Sequence, residues 1–291
     1  MSFVEPLPTI MIEPIVRSAL LEDLGRAGDI TTDAIIPRSA VLEGVIAARQ
    51  HGIIAGVDLA ALAFRLLDPG ISVVVEKPDG VPVSARDIVL RICGSARAIL
   101  SAERVALNLL CRLSGIASAT GMLVEAVRPY PARIVCTRKT TPGLRTLEKY
   151  AVRAGGGSNH RFGLDDAVLI KDNHIAVAGG IRPAIERARQ CVGHLVKIQV
   201  EVDTLAQLGD ALESKVDAVL LDNMSPDQMR EAVRMANGRV VTEASGRITR
   251  ETVNAVAAAG VDLISSGWIT HSAPALDLGL DVDMPANQRL Q

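Results

Sequence analysis

From about residue 129 onward one theme recurs: a short β-branched and aliphatic run, a polar cluster, then apolar positions at helical spacing. The runs fall at 134–137, 167–170, 196–202, 218–221, 240–242 and 263–265. Near-continuous apolar runs of this kind suit parallel strands covered on both faces. Between them, Thr204 with Gln207, and Ser225 with Pro226 and Gln228, have the spacing of capping boxes that open helices. Thr249 stands where it can cap a helix through Ala259, with Gly260 ending it. From Glu201 to Asp222, then Glu243, then Ser266, the steps are 21, 21 and 23 residues. Each step holds one strand, one helix and two short loops. At least six such units predict a parallel α/β barrel or a doubly wound sheet.

The first part of the chain has a different rhythm. Strands are predicted at 41–48 and 71–75 around a helix at 57–67, with a strong turn at Pro78-Asp79-Gly80. A long amphipathic helix follows at 99–117. The pattern predicts an N-terminal α+β domain over 1–115 and a barrel over 116–272. The tail, 273–291, is expected to pack back on the first domain.

Composition narrows the class. Hydrophobic residues make up 48% of the 291 but aromatics only 2%, so the core must be aliphatic. A net charge of −2 argues against a non-specific nucleic-acid binder, which carries a basic domain. No spanning segment is expected: the longest charge-free stretch in the C-terminal half, 263–276, contains His271 and a proline. Glu5 and Glu13 stand where a signal peptide would be basic, so a cytoplasmic protein is expected. Cys93, Cys111, Cys136 and Cys191 form no C-x-x-C pair, which predicts reduced, mostly buried thiols rather than zinc or disulfides.

The candidate chemistry lies where the strands end. Arg138 and Lys139 follow the first, Lys171 and His174 the second, Glu201 and Asp203 the third, Asp222 and Asn223 the fourth. Glu243 and Ser245-Gly246 end the fifth, and Ser266-Gly267 the sixth. Parallel-barrel enzymes build their sites at these carboxyl ends. Arg138, Lys139, Arg161 and Lys171 would form a positive wall for a polyanion. Glu201 and Asp222 would face it, able to hold a divalent metal or sugar hydroxyls, or to stabilise a developing cation. The Ser-Gly pairs can hold phosphate through backbone N–H groups. A ligand with phosphate, metal-bound diphosphate and carboxylates fits the whole ring. Plainer readings stand beside this one: Arg104 as a solvated helix residue, His160 as a loop histidine, 155–157 as a helix cap and linker, Lys171 as a structural partner of Glu201. Lys171 could also serve a class I aldolase as Schiff-base nucleophile. A barrel that binds anions without turnover is a further alternative.

Thr137-Arg-Lys-Thr-Thr-Pro-Gly-Leu-Arg145 and Glu148-Lys-Tyr-Ala-Val152 resemble the quinolinate phosphoribosyltransferase family. So do Gly155-Gly-Gly-Ser-Asn-His-Arg161, Leu169-Ile-Lys-Asp-Asn-His174, Val200-Glu-Val202, Leu221-Asp-Asn223 and Glu243-Ala-Ser-Gly246. Upstream, Gly28-Asp-Ile-Thr31, 103–110 and 113–117 match too, so the resemblance covers nearly the whole chain. It implies transfer of phosphoribosyl from 5-phosphoribosyl-1-diphosphate to quinolinate with decarboxylation, giving nicotinate mononucleotide, diphosphate and CO2 for NAD synthesis. It also implies an α/β open sandwich followed by an incomplete α/β barrel, Mg2+, and a homodimer or dimer-based hexamer with shared sites.

Residue by residue, the resemblance places Arg138, His160, Arg161 and Lys171 on the quinolinate carboxylates, with Arg104 arriving from the partner subunit. Lys139 would contact substrate and the ribosyl diphosphate as a catalytic residue, together with Lys171. Glu201 and Asp222 would be the acidic pair near ribose and Mg2+, touching the metal directly or through water. Ser245, Gly246, Gly267 and His271 would grip the 5-phosphate. Cys136, Cys111 and Arg247 depart from the family pattern, none at a catalytic match. The molybdenum-transport-associated relative shares the Thr-Arg-Lys-Thr and His-Arg signatures, but the intact 169–174 run favours the quinolinate enzyme.

Overall fold

The six apolar runs form six strands of one all-parallel sheet in the computed structural model, which describes residues 4–282. In chain order the elements begin α1 (Thr9–Leu24), α2 (Ile30–Ile35), β1 (Val41–Ala48), β2 (Gly52–Ile53), α3 (Val57–Leu67), β3 (Ser72–Val75), β4 (Pro82–Val83) and β5 (Ile88–Ser95). Next come α4 (Ala96–Val127), β6 (Arg133–Val135), α5 (Arg145–Ala154), β7 (Val168–Ile170), α6 (Asp172–Ala178), α7 (Ile181–Cys191) and β8 (Ile198–Val202). The last are α8 (Leu205–Glu213), β9 (Ala218–Asp222), α9 (Pro226–Ala236), β10 (Val241–Ser245), α10 (Val253–Ala257), β11 (Leu263–Ser265), α11 (Trp268–His271) and β12 (Leu278–Val282).

The strand order of the parallel sheet is β6-β11-β10-β9-β8-β7. Successive strands from β7 to β11 are neighbours, and the first strand, β6, pairs with the last. That pairing is the closing step of a ring, and the ring stays open between β6 and β7. It is the incomplete α/β barrel expected from the sequence. Both predicted capping boxes are present: Thr204 accepts from the Gln207 N–H, and Ser225 from the Gln228 N–H. The capped helices α8 and α9 bury Leu208, Leu212, Met229 and Ala232.

An antiparallel sheet of order β12-β1-β5-β3 forms the α+β part. Its last strand comes from the C-terminal segment: Leu278–Val282 pairs with β1 over Ala48 to Gly44. Residues 283–291 of the expected tail lie outside the described residues. The chain divides into two compact units, one holding the residues up to Ala119, Thr146–Gly156 and the segment from Ala273, the other Thr120–Arg145 and Gly157–Ser272. The first unit runs to Ala119, and most of α5 groups with it. Its Glu148 accepts from Arg112, and Tyr150 donates to Asp79 at 2.6 Å.

Other expectations need correcting. The helix expected from Thr249 starts at Val253: residues 249–252 form a turn in which the Thr249 N–H donates to Thr252 Oγ1, and no side-chain oxygen caps the helix. The fifth strand runs on to Ser245, which puts Glu243 in mid-strand, buried. The long helix extends from 96 to 127. By length and composition it could cross a membrane, but it is largely a core helix, with Ile99, Ala102, Leu110, Leu113, Ile116 and Leu123 buried. The cysteines are free, yet only Cys136 is buried, while Cys93 and Cys191 are exposed.

Candidate active site

Side chains alternate across a strand, so residues two apart share a face. Leu169 on β7, Glu201 on β8, Leu220 and Asp222 on β9, Glu243 and Ser245 on β10 and Ser265 on β11 all face one cleft. The register is tight: Glu201 pairs with Leu220, which pairs with Glu243, and Asp222 pairs with Ser245. Thr137, Arg138 and Lys139 enter after β6, His160 and Arg161 from the segment before β7, and Lys171 from its end. The cleft holds ≈ 400 Å³. That is within the usual range for small-molecule sites, roughly 300–1,000 Å³.

Four cations converge here, and they are not equally neutralised. Burial, and after it the charge of Arg138, hold the Arg161 guanidinium below its ordinary value, with Asp166 opposing. Such a guanidinium stays charged, and the shift measures its want of an anion. The Arg138 Nε is buried with no hydrogen-bond partner. Lys171, by contrast, meets Glu201: Nζ to Oε2 is 2.5 Å, with the Glu201 side chain 11% exposed and that of Lys171 48%. That contact occupies the Lys171 amine, which a Schiff-base nucleophile would need free to reach a carbonyl. The Schiff-base reading of Lys171 loses its support.

Lys139 is placed by its own loop. Its N–H donates to Thr137 Oγ1 at 3.0 Å, and its carbonyl accepts from Thr270 Oγ1 at 2.7 Å. A Cβ on Gly267 would come within 2.8 Å of Lys139 Cδ, so this glycine leaves room for the lysine stem. Asp222 accepts from Asn223 Nδ2 at 2.6 Å, and the Asn223 N–H donates to Ser245 O at 3.0 Å. Gly246 sits in the left-handed region at φ 95°, where a Cβ would overlap Asn223 Oδ1. The loops after β9 and β10 therefore interlock.

Arg138, Lys139, His160, Arg161, Lys171, Glu201, Asp222 and Ser245 thus line one cleft. Gly246, Gly267 and His271 lie on adjoining loops, with His271 Nδ1 2.6 Å from Ser272 Oγ. Arg104 is exposed on α4 and belongs to the other unit. Gln199, inside an apolar run, is the polar residue of this site that the sequence does not single out, and Glu243, expected at a strand end, lies within β10. The signal for Gln199 was its spacing, two residues before Glu201 on the same face. Glu243 is ionised. Burial by itself would push its carboxyl up, but hydrogen bonds from His160, Gln199 and Ser265 leave it below its ordinary value.

Among the described residues no group of three or more His, Cys, Asp or Glu could hold a metal. A Mg2+ arriving on a phosphate ligand would meet Glu201 and Asp222 in this cleft and would take its remaining ligands from phosphate and water, the way this ion is usually held.

The family models for the quinolinate phosphoribosyl transferase N-terminal and C-terminal domains match residues 29–114 and 116–281. A probable carboxylating nicotinate-nucleotide pyrophosphorylase of Bacillus subtilis is 43% identical over 275 residues, 94% of each chain. One from Synechocystis is 44% identical over 279 residues, again 94% of each. The crystal structure of NadC from Streptococcus pyogenes superposes with a TM-score of 0.92 at 40% identity, covering 96% of this chain and all of that one.

Proposed function

The chain belongs to the quinolinate phosphoribosyl transferase family, and from that premise we propose how its barrel cleft carries out the transfer. The protein is a carboxylating nicotinate-nucleotide pyrophosphorylase, a phosphoribosyltransferase of NAD biosynthesis. It joins quinolinate to 5-phosphoribosyl-1-diphosphate. The observation that carries the site assignment is the cluster of Arg138, Lys139, Arg161 and Lys171 facing Glu201 and Asp222 across one cleft.

Arg138, Arg161 and Lys171 hold the two adjacent carboxylates of quinolinate and turn its ring nitrogen toward the anomeric carbon. The N–C1 bond forms as the C1–diphosphate bond breaks, and positive charge grows on the ribose. Glu201 and Asp222 stabilise that charge. Lys139 meets the leaving diphosphate. Ser245, Gly246, Gly267 and His271 hold the 5-phosphate at the interlocked loops. Mg2+ held by Glu201 and Asp222, directly or through water, supplies positive charge to the diphosphate when bound. The ribosylated nitrogen is then cationic and takes up the electrons left at C2 as CO2 departs, and C2 receives a proton from solvent.

The working unit is a dimer, with Arg104 supplied to the neighbour's cleft. Ile10 and Leu21 on α1 and Ile30 and Ile35 on α2 are exposed, an apolar surface that suits a second copy. Four free cysteines suit the reducing cytoplasm. Incubation with quinolinate, phosphoribosyl diphosphate and Mg2+ should release nicotinate mononucleotide, diphosphate and CO2 in equal amounts. Product without CO2, or none, would overturn the assignment.

A further inference from the structure

Beneath the cation wall, three polar side chains from three segments are joined by one chain of hydrogen bonds. Gln199 on β8 is 8% exposed and Glu243 on β10 is 1% exposed. Gln199 Nε2 donates to Glu243 Oε2 at 2.9 Å, and His160 Nε2 lies 2.9 Å from Gln199 Oε1. β9 separates the two strands. It presents Ala218 in register with Gln199, and that small side chain leaves the Gln199 amide room to cross. On the other side of the ring, the Arg161 N–H donates to His160 Nδ1 at 2.7 Å.

The directions of these bonds are forced. Gln199 turns its NH2 to Glu243 Oε2 and its carbonyl, which can only accept, to His160 Nε2. His160 Nδ1 accepts and carries no proton, and the ring proton therefore sits on Nε2. The 3.4 Å contact of Nε2 with Glu243 Oε2 would be an ion pair only for a doubly protonated ring, which the Arg161 N–H excludes. Charged groups near the ring include Glu243, Arg161 and, acting on Arg161, Arg138. Both ring nitrogens are engaged by the protein.

We propose that Gln199 and Glu243 are positioning residues for the acceptor subsite. They hold His160 as the neutral Nε2–H tautomer, and the locked ring fixes the Arg161 backbone and so aims its guanidinium. Arg138, Arg161 and Lys171, rather than His160, then meet the acceptor's carboxylates. Arg161 Nη1 donates to Ala167 O at 3.0 Å, which holds the guanidinium from its far end. Two anchors, one at each end of the arginine, define its direction. Loss of the first swings the second. The inference rests on reading the cleft as the site of an aromatic dicarboxylate.

The test uses the full-length enzyme labelled with nitrogen-15 at histidine, with His160→Gln assigning the ring signals. Phthalate, which carries two adjacent carboxylates without a ring nitrogen, probes binding by calorimetry. The wild type should show an unprotonated Nδ1 and a protonated Nε2. Gln199→Met should lose that signature, weaken phthalate binding and raise KM for quinolinate about tenfold or more, with KM for phosphoribosyl diphosphate within about twofold. Gln199→Glu keeps an acceptor for His160 but faces Glu243 with a second carboxylate. Its KM for quinolinate should return toward the wild-type value as pH falls and the pair shares one proton, which the Met variant cannot reproduce. A wild-type ring protonated on Nδ1, or a Met variant that binds phthalate normally or raises both KM values alike, would overturn the proposal. Wild-type turnover of quinolinate, measured in parallel, tests the functional reading separately, because tautomer and phthalate affinity are read without turnover.

Discussion

Lys171 Nζ and Glu201 Oε2 stand 2.5 Å apart at the mouth of the barrel, one on the strand end of β7 and the other on β8. The pair joins the cation wall to the acidic side of the cleft. In the proposed mechanism it would set Lys171 beside the anionic acceptor and Glu201 where cationic character develops on the ribose.

Glu201→Gln and Asp222→Asn should each lower turnover by about 10²-fold while leaving quinolinate affinity nearly intact, since the lost interaction grows in the transition state. Calorimetry with quinolinate alone and single-turnover kinetics separate the two effects. Lost affinity with normal chemistry would assign these carboxylates to ground-state binding. Borohydride with carbonyl compounds should leave no adduct on Lys171.

The two loop glycines should respond differently. Gly246→Ala meets both the left-handed φ and Asn223 Oδ1, and should cost about 1–3 kcal/mol of stability while raising KM for phosphoribosyl diphosphate. Gly267→Ala displaces chiefly the flexible Lys139 stem, with smaller adjustments of His271 and Thr137. It should depress kcat while the melting temperature stays within about 2 °C of the wild type. Equal melting losses in the two variants would contradict the distinction.

Much of this was legible in the chain. The strand periods, the 21-residue steps and the two capping boxes carry the barrel, because buried parallel strands and helix caps write local signals. Arg138, Lys139, Lys171 and the Glu201–Asp222 pair were readable because they lie at or just beyond the ends of those strands. Gln199 and Glu243 were not, since their meaning depends on register across β9. The Thr249 cap was misread because residues 249–252 form a turn of their own, closed by the Thr249 N–H on Thr252 Oγ1, before the helix begins at Val253. The Leu278–Val282 strand has a partner more than 230 residues away, beyond the reach of any local pattern.

Acid stability should carry the mark of Glu243. Its carboxyl is ionised below its ordinary value of 4.5 in the folded protein. It therefore adds stability above that value, and the contribution is lost as pH falls through the lower folded value. Between about pH 5 and pH 3 the melting temperature of the wild type should fall more steeply than that of Glu243→Gln. Parallel curves would show that Glu243 is not held ionised.

Sharing of the site between subunits is tested by complementation. Arg104→Ala and Lys171→Ala enzymes, each inactive, are unfolded and refolded together. If Arg104 acts in trans, each heterodimer has one intact site, and about a quarter of wild-type activity should return, as random pairing in a two-fold dimer requires. A mixture that stays dead although heterodimers form would place Arg104 in its own subunit's site.

The central claim is that the cation wall is built for two adjacent carboxylates. Quinolinate and nicotinate differ only by the 2-carboxylate, so comparing their kcat/KM values with phosphoribosyl diphosphate and Mg2+ tests it most directly. Cations left unpaired by the smaller acid should make quinolinate the better substrate by about 10³-fold or more. Equal kcat/KM values for the two acids would contradict the account.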